Sequence, residues 1–277
     1  MLKEAYIKSW KQLNLLLFVP DLIIVIVNYG LLMLFMLTTG LSQFGSISNF
    51  NVESFFESNG TKFIADNLLK IIIFLIVFAV TNFILGSGLM ALKFNLIKKT
   101  VRGEKYEFFK LIKSEKGFLR VVLMRLYVFI IGTVLFILAI VIWALMNKLL
   151  GFNAAFTIML ILIILAVIII KLFLLFRYAD LFLDKKTTFK SLISSIKCFI
   201  RKPGYTILVL ILLAVTDLIL WLFSFGLTYG VDTFVLFNTL TWLIVGLGTI
   251  IYVLFRLVRL IWADLFLFNA YKNKFKQ

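Results

Sequence analysis

Six uninterrupted apolar runs set the limits on what this chain can fold into. They cover residues 15–37, 67–89, 121–145, 156–176, 205–227 and 234–257. Each is long enough to cross a hydrocarbon core about 30 Å thick, which takes about 20 residues of helix. Membrane barrel strands are excluded, because they alternate apolar and polar residues over short segments. A soluble globule is excluded too: 63% of the 277 residues are hydrophobic and 15% charged, against about 45–50% and about 25% in soluble domains. No small-residue cleavage site follows the first run, so it is expected to stay as a span rather than leave as a signal peptide.

Charge then orients the chain. There are 29 Lys and Arg residues against 13 Asp and Glu, a net charge of +16. Without a nucleic-acid motif, that excess points to anionic headgroups rather than to nucleic acid. Placing both termini in the cytoplasm leaves only Lys62, Lys70 and Lys148 on the outer side, a strong positive-inside asymmetry. The outer connections at 147–155 and 228–233 are short, so the third and fourth spans, and the fifth and sixth, are expected to form antiparallel hairpins. The first outer loop, 38–66, is longer and carries Glu53, Glu57 and Asp66, with a glycosylation-type tripeptide at Asn59-Gly60-Thr61.

Each inner segment contains an amphipathic stretch. At helical spacing Phe189, Leu192, Ile193, Ile196, Phe199 and Ile200 share one face, and Lys190, Ser194, Lys197, Arg201 and Lys202 the other. This reads as a basic helix lying in the membrane interface, ended by Pro203-Gly204. Leu2, Tyr6, Trp10 and Leu13 form a similar stripe opposite Lys8 and Lys11. Phe108, Leu111, Ile112 and Leu119 form a weaker one opposite Lys110 and Lys113. The even-numbered spans also end alike, in Ala91-Leu92-Lys93-Phe94, Ala179-Asp180-Leu181-Phe182 and Ala263-Asp264-Leu265-Phe266. The expected fold is therefore all-α: one membrane-embedded domain over residues 1–277, with six transmembrane helices as three hairpins, each preceded by a basic amphipathic interfacial helix. Three repeated units are expected at 1–100, 101–186 and 187–277.

The run Phe176-Arg177-Tyr178-Ala179-Asp180-Leu181-Phe182, the short basic helix with Ser191 and Ser195, and Lys202-Pro203-Gly204 entering a span carry a resemblance. Together they resemble a group of six-helix membrane proteins that includes YciC-like proteins and the membrane domain attached to some glycerophosphodiester phosphodiesterases. The likeness covers the second half of the chain and the outline of the first. It implies a six-helix membrane fold and brings no enzymatic activity with it.

Catalytic chemistry has little to work with. Histidine is absent and cysteine occurs once, at Cys198, which excludes His-based acid–base catalysis, His/Cys zinc sites and intramolecular disulfides. No phosphate loop, paired acidic metal site or dinucleotide fingerprint occurs, so no enzyme and no cofactor is expected. Cys198 falls on the polar face of its helix and is expected to be an unmodified thiol. Arg125, Arg177, Arg256 and Arg259 lie near inner helix ends, where long side chains reach the headgroups; Asp180 follows Arg177 at i+3 as an ordinary helix pair. Asp217 and Lys171 sit deeper, and an Asp217–Lys171 contact between neighbouring hairpins is expected to satisfy both. The residues expected to meet lipid headgroups are Lys190, Lys197, Arg201, Lys202, Lys110 and Lys113. The expected function is a non-catalytic module that organises anionic lipids or membrane-protein partners. The alternative is a transporter or channel component that uses the Asp217 carboxylate.

Overall fold

The computed structural model describes residues 2–39, 60–104, 117–234 and 238–275, and among them every regular element is helical. In chain order these are α1 (Leu2–Lys11), a 3-10 turn (Leu15–Leu17), α2 (Val19–Thr39), α3 (Gly60–Arg102), α4 (Phe118–Leu150) and α5 (Phe152–Phe173). Then follow α6 (Arg177–Leu183), α7 (Thr188–Arg201), α8 (Pro203–Phe234) and α9 (Asn238–Phe275). Five described segments are long and apolar enough to cross a membrane: Leu15–Thr39, Ile64–Arg102, Phe118–Lys148, Phe152–Leu183 and Pro203–Gly226. The sixth expected run, 234–257, falls partly outside the described residues, and its remainder belongs to α9. Asn59 of the tripeptide lies outside them too, as do Phe108, Lys110, Leu111, Ile112 and Lys113 of the second amphipathic stretch.

Local chemistry explains the boundaries. α8 opens on Pro203, whose missing N–H is no loss at a first helical position. Between α4 and α5 the expected connection at 147–155 shrinks to Gly151 alone. Its φ is 80°, a conformation open to glycine at little cost, and its N–H bonds the Asn147 carbonyl at 3.2 Å. The polar residues on either side, among them Asn147, Lys148 and Asn153, carry no helix breaker, so they continue as the last turn of one helix and the first turn of the next.

The chain divides into two compact units, residues 19–90 and residues 1–18 with 91–277. In the first, α2 pairs with the opening part of α3. Phe35 stacks on Phe74 at 4.2 Å, Asn82 Nδ2 donates to Asn28 Oδ1 at 2.8 Å, and Lys70 Nζ donates to the Thr38 carbonyl at 3.2 Å.

In the second unit the helices are longer than a membrane requires. The 33 residues of α4 and 32 of α8 give about 50 Å and about 48 Å at about 1.5 Å per residue, against a core of about 30 Å. Burial collects at the end of these helices that carries the chain termini, on Leu96, Val121, Met124, Phe176, Leu181, Trp262, Phe266 and Tyr271. Farther along, Phe129, Phe136 and Leu138 of α4 and Ile161, Ile164 and Leu165 of α5 are exposed. Apolar exposure on that scale is untenable in water and natural in lipid.

The end of α3, α6 and the end of α9 meet in this core. Phe94 stacks on Tyr178 at 4.5 Å and on Phe268 at 5.7 Å, with Phe182 at 5.5 Å. Lys93 Nζ lies 2.7 Å from the Asp264 carboxylate. α1 packs on α9 by a different face from the expected stripe: Ala5 and Ser9 are fully buried, while Tyr6 sits edge-on to Trp262 and Trp10 stacks on it. Two small side chains let the helices approach closely, and the large rings of the predicted stripe fill the flank. Asn269 Nδ2 closes the contact by donating to Ser9 Oγ at 3.1 Å and to Gln12 Oε1 at 2.8 Å.

Candidate membrane-interface site

The site is assembled where α5 stops. The sequence stays apolar through Leu174, Leu175 and Phe176, yet α5 ends at Phe173 and α6 starts afresh at Arg177. Such a break leaves backbone groups without intrahelical partners, and α7 supplies them. Ser195 Oγ donates to the Phe173 carbonyl at 2.7 Å and accepts the Phe176 N–H at 3.2 Å. Ser191 Oγ donates to the Arg177 carbonyl at 2.6 Å.

Beside this clamp lies a buried polar network. The Asp180 side chain is fully buried; Lys186 Nζ donates to its Oδ1 at 2.7 Å and Ser194 Oγ at 3.0 Å, and Tyr271 Oη also donates to it. Tyr271 reaches Asp184 as well, at 2.8 Å. Burial works against the Lys186 ammonium, but the hydrogen bond and charge of Asp180, with those of Asp184, outweigh it and hold its pKa above the ordinary value. Burial, then hydrogen bonds to the same two carboxylates, push the Tyr271 phenol far above its ordinary range. The expected Arg177–Asp180 helix pair is therefore replaced. Arg177 instead donates to the Leu174 carbonyl at 2.9 Å and lies over the Tyr178 ring at 4.7 Å, a cation–π contact.

α7 consequently has three faces where the sequence suggested two. Thr188, Ser191, Leu192, Ser195 and Cys198 are buried. Phe189, Ile193 and Ile200 form an exposed apolar face. Lys190, Lys197 and Arg201 form an exposed basic one, and Lys202 is exposed at the helix end. These four candidate headgroup residues are thus accessible together, whereas Lys110 and Lys113 lie outside the described residues. Cys198 turns into the protein rather than toward the polar side, and burial raises its thiol from 9.0 to about 11. At pH 8 its alkylation is expected to run about 100-fold slower than that of an ordinary cysteine, because the thiolate is the nucleophile. The rate should climb with each pH unit toward 11, which stopped-flow labelling of the folded protein would show.

The deep ionisable pair is also re-sorted. Asp217 is held by Arg259 of α9 and not by Lys171. The register is marked by Tyr205 Oη donating to the Ala270 carbonyl at 3.1 Å near the start of α8; twelve residues farther out, the antiparallel chain is at Val258, next to Arg259. Lys171 is exposed in the last turn of α5, about 30 Å from Gly151 at about 1.5 Å per residue, which is the far edge of a core about 30 Å thick. The apolar continuation through Phe176 conceals that helix end in the sequence. Lys171→Met should therefore change thermal stability in detergent by no more than about 0.5 kcal/mol, and Arg259→Leu by clearly more, since it strips a carboxylate of its partner within the span.

Sequence reasoning also missed the Asn28–Asn82 bond, the Lys93–Asp264 ion pair and the part played by Tyr271. Only long-range pairing identifies these residues. Among the described residues, no group of His, Cys, Asp and Glu is placed to hold a metal ion. Comparison of the chain with protein-family profiles, with curated proteins and with solved structures finds no match.

Proposed function

We propose that this is an integral membrane protein without catalytic chemistry that organises anionic lipids, and through them partner proteins, at the inner membrane surface. In this reading six spans form three hairpins, both termini are cytoplasmic, and α1 and α7 lie in the interface. Residues 1–100, 101–186 and 187–277 are then three variants of one unit. One observation carries the reading: α7 is fastened to the protein by its small polar face, and this leaves its basic and apolar faces free side by side. A helix so presented has the two features that bind anionic bilayers, apolar area for the acyl boundary and lysines for the headgroups.

The test is lipid composition in patches excised from the membrane as native nanodiscs. The wild-type protein is expected to carry several-fold more anionic lipid, relative to zwitterionic, than the bulk membrane. Lys190→Gln/Lys197→Gln/Arg201→Gln/Lys202→Gln should return the ratio to bulk, at about 1 kcal/mol per basic residue near the surface. A wild-type ratio equal to bulk would refute the proposal. The transporter alternative draws on Asp217, but a carboxylate already held by Arg259 favours a structural role. Uncoupling of gradient-driven uptake by Asp217→Asn in a folded protein would reverse that preference.

A further inference from the structure

The faces of α4 and α5 that meet each other leave an apolar groove of about 340 Å³, within the range of about 300–1,000 Å³ usual for ligand clefts. Gly132, Leu135 and Ala139 line it from α4, and Leu162, Ala166 and Ile170 from α5. Small residues create the space: a Cβ added at Gly132 would meet nothing within 4 Å. The α4 lining extends from Gly132 to Ile142, about 15 Å at about 1.5 Å per residue. That is half of a core about 30 Å thick, the depth of one leaflet. With the outer end of the helix pair anchored at Gly151 and Lys148, the groove occupies the half nearer α7.

One end of the groove is basic. Lys171 follows Ile170 directly and is exposed. α7 crosses this end of both helices: Thr188 Oγ1 donates to the Arg120 carbonyl at 3.5 Å, Phe189 packs on Tyr127 at 6.4 Å, and Phe199 meets Phe173 edge-on at 5.1 Å. Lys190 and Lys197 are exposed on the helix that crosses this end. The nearest carboxylates of α6 and its following turn, Asp180 and Asp184, are already engaged by Lys186 and Tyr271. An apolar slot one leaflet deep, ending at exposed Lys171 beside a helix that carries exposed Lys190 and Lys197, complements one molecule in both halves. We infer that the α4–α5 groove holds an acyl chain of a single anionic phospholipid from the leaflet on α7's side, its phosphate meeting Lys171, Lys190 and Lys197. This site rests on the reading of the chain as a lipid-contacting membrane protein, and it adds a discrete, stoichiometric ligand to a general surface preference.

Native mass spectrometry of the full chain, released from mild detergent after delipidation and re-addition of equimolar phosphatidylglycerol and phosphatidylcholine, tests it. One retained phospholipid per chain is expected, predominantly phosphatidylglycerol. Gly132→Phe, which grows a ring into open space on a helix, should reduce retention at least tenfold with unchanged helicity and melting. Lys171→Gln should keep the lipid but move headgroup choice several-fold toward parity. A wild-type chain that retains no phospholipid, or a folded Gly132→Phe protein that retains as much as wild type, would overturn the inference. Because Gly132→Phe leaves the α7 charges in place, its nanodisc lipid ratio should stay elevated. A ratio at bulk for the wild type beside an intact one-to-one lipid would remove the broader proposal and leave this site standing.

Discussion

Asp264→Leu is expected to lower the unfolding free energy by about 3 kcal/mol, the low end of the cost of breaking a buried ion pair, because Asp264 keeps 26% of its side chain exposed. The Lys93 side chain is only 6% exposed and its ammonium sits 2.7 Å from the Asp264 carboxylate. Replacing both members, as Lys93→Met/Asp264→Leu, should recover most of the loss, since an apolar pair of similar volume is often neutral or better in such a site. Equilibrium unfolding in SDS-titrated micelles would measure the cycle. If the double variant is as unstable as the sum of the two single variants, the pair has no coupling and the packing assigned to this core is wrong.

Ser195→Ala should cost about 2–4 kcal/mol by the same measurement. It removes only the hydroxyl but orphans the part-buried Phe173 carbonyl and the buried Phe176 N–H, each costing about 1–3 kcal/mol when unpaired. Ser195→Thr retains the hydroxyl and should lose less. An alanine variant that unfolds with the wild type would show that the α5–α6 break is not held by α7.

The legible part of this fold was the part the bilayer dictates. Runs of apolar residues at least 20 long have few alternatives, and the described spans lie where those runs fall. What stayed hidden depended on pairing at a distance. Ser191 and Ser195 look like the polar side of a surface helix, yet both point into the protein, because a helix break with no breaker residue at 174–176 must be capped from outside; Ser194 turns to Asp180 instead. Lys171 looked deep only because that same break is invisible in composition. Asp217 reads from the sequence as a residue needing a partner, but that the partner is Arg259 rather than the expected Lys171 depends on the antiparallel register of α8 and α9. The aromatic stripe of α1 is plain in the sequence, but Ala5 and Ser9, the residues buried against α9, carry no hydrophobic signal.

The central claim is that the protein selects anionic lipid through an exposed basic face, and spin-labelled lipids report that selection directly. With the full chain reconstituted in bilayers, the motionally restricted fraction of spin-labelled phosphatidylglycerol should exceed that of phosphatidylcholine at low salt. The excess should fall as ionic strength shortens the Debye length from about 30 Å at 0.01 M to about 3 Å at 1 M. It should also be largely absent from the Lys190→Gln/Lys197→Gln/Arg201→Gln/Lys202→Gln protein. Equal restriction of the two labels by the wild-type chain at low salt would contradict the account.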